Sequence, residues 1–118
     1  MQLYCRKGKM SMKKKVANAL MAMGLLPNLN GFSYIADAVC MVADDISKPV
    51  KVREIYDSVG KKHNVKAANV ERNIRFCVSK ILSKKNDFCI KYIGDYKYLT
   101  NSQFISIFAI NLIEMEVI

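Results

Sequence analysis

An all-α domain organised around a helix-turn-helix is the fold class this sequence predicts, and three observations predict it. Apolar residues recur at helical spacing on both sides of a short polar joint, Lys62-His63-Asn64-Val65-Lys66. Before it come Val52, Ile55, Tyr56 and Val59; after it come Val70, Ile74, Cys77, Val78 and Ile81. The joint has turn chemistry. Asn64 tolerates a left-handed backbone, Gly60 lets a second helix cross closely, and Val65 can plug the space between the two helices. Positive charge gathers at the same place: residues 48–85 carry eleven basic and three acidic side chains, in a chain of net charge +9.

The remaining elements follow in order. Residues 1–15 hold six basic side chains and no acid, and read as a flexible basic head, a solvated tail or an arm that touches phosphates. The domain proper is expected over 16–118. Residues 16–23 predict a short helix, stopped by Gly24 and Pro27. After a loop at 28–30, residues 32–46 give the clearest helical pattern. Phe32, Ile35, Ala36, Val39, Cys40, Ala43 and Ile46 line one face and Met41 and Val42 widen it, so this helix is expected at the buried centre. Asp44 and Asp45 near its end call for a basic neighbour. Ser47-Lys48-Pro49 breaks the chain before the motif. Residues 87–93 predict a short helix packed through Phe88, Ile90 and Ile93, and 95–99 an extended segment. Thr100 and Gln103 form a capping box that opens a last helix running to about Met115.

The outward face of the second motif helix, about 67–83, carries the functional expectation. At about 100° per residue, Ala68, Asn69, Arg72, Phe76 and Ser79 fall opposite the apolar stripe, with Arg75 on the shoulder. The first turns of a recognition helix supply base contacts in the major groove. Arginine pairs bidentately with guanine, asparagine with adenine, and a carboxylate accepts from cytosine. Asn69, Glu71, Arg72 and Arg75 are therefore the candidate base contacts, and Glu71 can hold Arg75 four residues on. Lys61, Lys62, His63, Lys66 and Lys80 are the candidate phosphate contacts, with His63 read first as a structural turn residue. On an isolated helix the same charges read as a solvated face; the turn chemistry and the concentrated charge favour the DNA reading.

The motif His63-Asn64, Val70-Glu71-Arg72 and Ile74-Arg75 resembles the C-terminal DNA-binding domain of the master sporulation response regulator of endospore-forming bacteria. Gly31-Phe32-Ser33-Tyr34-Ile35 with Asp37-Ala38, Lys61-Lys62-His63-Asn64, and Thr100-Asn101-Ser102-Gln103-Phe104-Ile105 agree with further family blocks in the same order. The resemblance covers roughly residues 16 to 116. It implies a six-helix all-α domain that binds short repeated DNA boxes, often as tandem protomers, and controls transcription. It also implies DNA contacts from Glu71, Arg72 and Arg75. The chain departs from the family at the reading edge. Asn69 stands where the family usually has arginine, and Lys66-Ala67-Ala68 where it tends to have Thr-Pro-Ser; residues 86–99 match poorly. No counterpart of the family's receiver domain is found in these residues, so no built-in phosphorylation switch is expected.

Other classes are disfavoured. Cys5, Cys40, Cys77 and Cys89 show no metal-type spacing, and with a lone histidine no metal site, cofactor or catalytic constellation is expected. The cysteines read as reduced, in a cytoplasmic, nucleoid-associated bacterial protein, and no apolar run suits a membrane span. The expected partners are double-stranded DNA, a second protomer, and RNA polymerase. The alternative is a protein-interaction module that docks a response regulator or the transcription machinery through Phe76 and the last helix, with weak DNA binding.

Overall fold

The computed structural model of the protein describes residues 11–116. Six helices account for its regular structure: α1 (Met12–Ala22), α2 (Asn30–Asp44), α3 (Val52–His63), α4 (Ala67–Lys84), α5 (Asp87–Tyr92) and α6 (Asn101–Glu116). No strand occurs among the described residues; the segment 95–99 is irregular.

α1 starts four residues before the predicted Val16. Ser11 caps it, its hydroxyl accepting from the Lys14 N–H at 3.2 Å. Lys13, Lys14 and Lys15 therefore lie in the first turn, where the helix dipole disfavours cations. Lys13 is compensated by Asp37 of α2, 3.6 Å away. Residues 1–10 of the predicted head lie outside the described residues.

α2 is the centre of the molecule, as its pattern predicts. It packs against α1, α3, α4 and α6, and buries nine of its 15 residues. It runs two residues earlier than predicted at both ends, so Ile46 lies beyond it and is exposed, as is Met41. Asp45 meets Lys48 at 3.5 Å in the following turn. The crossing of α2 over α4 is close. A Cβ on Gly31 would come within 2.5 Å of the Asn73 carbonyl oxygen and collide with the Cys77 sulfur. That glycine is the point where the two backbones can touch.

α5 differs from its predicted packing. Cys89 and Ile93 are buried, whereas Phe88 and Ile90 are exposed, because a helix of six residues buries only one narrow stripe. Asn86 fixes it at both sides. Its side-chain oxygen accepts from the Cys89 N–H at 2.9 Å, and its amide donates to the Ala22 carbonyl at the end of α1 at 3.0 Å. The capping box of α6 is reciprocal: the Gln103 N–H donates to Thr100 Oγ1 at 3.1 Å and the Thr100 N–H to Gln103 Oε1 at 2.9 Å. Phe104, Ile105, Phe108, Ala109 and Leu112 of this helix are buried. No helix among the described residues is long and apolar enough to cross a membrane.

Candidate nucleic-acid interface

The turn between α3 and α4 sets the geometry of the interface. Asn64 ends α3 in the left-handed conformation (φ 58°, ψ 46°). That conformation closes the turn through a hydrogen bond from the Val65 N–H to the Gly60 carbonyl at 2.9 Å. A Cβ on Gly60 would stand 2.6 Å from the Val65 carbonyl oxygen. The glycine is therefore needed by the turn itself, beyond any need of helix crossing. Val65 is half-buried and packs on the core, as a plug does.

Two buried polar side chains brace this arrangement from behind. Asp37 of α2, only 8% exposed, accepts from Lys62 Nζ at 2.9 Å, and its other oxygen lies 2.6 Å from His63 Nε2. The His63 ring also meets Tyr34 edge-on, with centroids 5.0 Å apart. Burial alone would raise the Asp37 carboxyl. The hydrogen bonds from Lys62 and His63, with the charges of Lys62 and Lys13, outweigh it and hold the carboxyl below its ordinary value. Asn101, at the start of α6 and 8% exposed, donates to the Tyr56 hydroxyl of α3 at 3.0 Å and to the Glu71 carbonyl of α4 at 3.1 Å. One amide thus fixes α3 and the first half of α4 relative to α6. In the sequence Asn101 belongs only to the block that opens α6, with no sign of this role. An asparagine one residue after a capping threonine was the only available signal.

The outward face of α4 is then defined. Arg72 and Arg75 are exposed, and Asn69 and Glu71 are half-buried beside them. Arg75 Nη1 donates to Glu71 Oε2 at 2.6 Å. A guanidinium has five N–H donors, so this bond leaves donors for a planar acceptor. The oxygen of the Asn69 side chain accepts from the Asn73 amide, which also donates to the Asn69 carbonyl at 2.8 Å. Held so, the Asn69 side chain keeps its two N–H donors and, because an amide oxygen has two lone pairs, one further acceptor position for a base edge. Phe76 is 55% exposed, with Lys80 Nζ 5.5 Å from its ring centre.

The five basic residues near the turn divide into two groups. Lys61 and Lys66 are exposed and line a depression of about 510 Å³ around Asn64, and Lys80 is exposed further along α4. Lys62 and His63 instead turn toward Asp37. The first turn of α4 has no side-chain cap and no acid, so nothing on it offsets the positive end of the helix dipole.

A two-helix motif with an outward arginine face on a basic rim, braced from behind by α2 and α6, narrows the comparison with known proteins. The family described as Sporulation initiation factor Spo0A C terminal matches residues 16–112. The chain belongs to this family. The Spo0A C-terminal domain is an all-α, DNA-binding effector domain of a regulator of sporulation and transcription. The match spans all six helices except the first four residues of α1 and the last four of α6. Within the Spo0A-type fold, the motif residues run from His63, the last residue of α3, through Asn64 in the turn to Glu71, Arg72 and Arg75 on the first half of α4.

Proposed function

We propose that the domain is a sequence-specific transcriptional regulator whose α4 enters the DNA major groove. Arg72 and Arg75 contact base edges, Glu71 positions Arg75 and accepts from a base amino group, and Asn69 pairs with a base edge, adenine being the bidentate match. Lys61, Lys66 and Lys80 meet phosphates. Lys62 and His63 lie on the same rim and are tied to Asp37, so their first task is to hold the turn that aims α4. The carrying observation is the exposed pair Arg72 and Arg75, the latter set by Glu71 at 2.6 Å. Tandem protomers on repeated boxes and contact with RNA polymerase belong to the same reading, as does a cytoplasmic, nucleoid-associated location.

The test is binding to a duplex carrying tandem sporulation-type boxes, beside a scrambled duplex, across a salt series. Preference for the boxes is expected, with Arg75→Ala costing about 1–3 kcal/mol of that preference. Equal binding of both duplexes by the wild type would overturn sequence-specific readout.

A second reading draws on Phe76 of α4 and Leu26 of the loop after α1, which are 55% and 63% exposed and border one depression. Under it the domain docks a response regulator or the transcription machinery and binds DNA weakly. Regulation that survives Arg75→Ala but is lost in Phe76→Ala would favour this reading over the first.

A further inference from the structure

One flank of α4 carries a surface that the base and phosphate contacts above leave unused. The segment 95–99, between α5 and α6, runs beside the C-terminal half of α4. It is anchored at both ends: Lys85 Nζ meets Asp95 Oδ1 at 2.9 Å, and Leu99 is buried. Gly94 turns the chain into the segment at φ 128°, a conformation that only glycine adopts readily. The Tyr96 ring packs over Gly94, 2.8 Å from where a Cβ would stand. Between the anchors Tyr96 is 41% exposed, and the next two side chains stand further out. Lys97 is exposed, and Tyr98 is 75% exposed, more than any other large apolar or aromatic side chain among the described residues.

This strap is placed with respect to the reading face. Lys97 and Tyr98 border a depression of about 340 Å³ whose α4 wall includes Arg75 and Ser79. Its lining holds three basic side chains, of which Arg75 is paired with Glu71 and Lys85 with Asp95, and the third is Lys97. At about 100° per residue, Arg75 lies roughly 60° from Arg72 around the helix, so the strap bounds the Arg75 side of the outward face. A helix seated in a major groove about 12 Å wide has a phosphate backbone running along each side of it. An ammonium and a phenolic hydroxyl held on that side are both donors to phosphate oxygens.

We propose that the segment 95–99 is a second DNA-contacting element, in which Lys97 and Tyr98 bind the phosphate backbone on the Arg75 side of the groove. It rests on the placement of α4 argued above. It adds backbone grip and orientation without adding base readout. The burial of Leu99 and the packing of Tyr96 over Gly94 hold the strap before DNA arrives, with the exposed Lys85–Asp95 pair adding little, so less entropy is lost when it engages.

The test compares wild type, Lys97→Ala, Tyr98→Phe and Lys91→Ala on the box and scrambled duplexes across a salt series. Lys91 is an exposed lysine of α5, which packs against α1 and α6, and it controls for the general loss of one charge. Lys97→Ala is expected to lower the magnitude of the log–log salt slope by about 0.9 and to weaken both duplexes alike, with Lys91→Ala leaving the slope unchanged. Tyr98→Phe, which keeps the ring and loses the hydroxyl, is expected to weaken both duplexes with the slope unchanged. Wild-type affinity and slope in Lys97→Ala and Tyr98→Phe, with Arg75→Ala defective, would overturn the strap and leave the α4 reading standing. Equal slope losses in Lys97→Ala and Lys91→Ala would overturn it too, leaving only a general charge effect. Failure of the wild type to bind either duplex would overturn both readings.

Discussion

Asp37 shows at single-residue scale how a charge far from the DNA face helps to set it. Its carboxylate joins Lys13 of α1 and Lys62 and His63 of α3 to the central helix. Its proton affinity in the fold lies below the ordinary carboxylate value of 3.8. A group whose folded value is depressed contributes stability above its unfolded value and loses it as pH falls through the folded one. The contribution is therefore full at neutral pH and disappears below the usual carboxylate range. Asp37→Asn is expected to cost about 1.5–3 kcal/mol at neutral pH, the usual range for hydrogen bonds to charged groups. The same substitution should cost progressively less in acid, where the wild type loses the pairs as well. Urea unfolding at the two pH extremes checks this; an equal cost at both would mean that the ionised carboxylate is not what binds the elements. The sequence showed Asp37 only as part of a family block, because its partners lie 24 to 26 positions away and no local pattern connects them. Asn101 was hidden for the same reason. By contrast the Glu71–Arg75 pair was legible, since four residues is one turn of a helix.

Whole helices were easier to read than their ends and faces. Periodicity marks α2, α3 and α4, and stop and capping signals help to place α1 and α6; α2 is recognisable as central from the width of its apolar face. Its ends were displaced because hydrophobic periodicity continued to Ile46, while the hydrogen-bonded helix stops at Asp44. α5 was misread at Phe88 and Ile90 since six residues are too few to define a face. The crossing of α2 and α4 was not legible at all: nothing adjacent to Gly31 in sequence signals that Asn73 and Cys77 press on it. Alanine for glycine inside a helix ordinarily gains about 1 kcal/mol. At Gly31 overpacking opposes that gain, typically by about 1–3 kcal/mol, and part of the obstruction is backbone that cannot rotate aside. Gly31→Ala is thus expected to lower the urea midpoint, and Gly31→Ala with Cys77→Ala to recover only part of the loss. Full recovery in the double variant would assign the whole obstruction to the sulfur.

At the scale of the molecule, charge and core are segregated. The basic excess lies in residues 1–15 and in residues 48–85, which hold α3, the turn and α4, while α2 and α6 supply most of the apolar interior. The reading helix is consequently aimed by elements that need not touch DNA, through the Gly31 crossing, Asp37 and Asn101. That closeness also gives the Cys77 thiol a second use as a clock. It is 1% exposed and lies against Gly31, and burial pushes its pKa up, so a thiol reagent reaches it only when α2 and α4 separate. In a protein with Cys5, Cys40 and Cys89 changed to serine, the labelling rate of Cys77 should report how often that seam parts. DNA that clamps α4 should slow the clock, and a rate indifferent to DNA would mean that the seam opens independently of what the helix is holding.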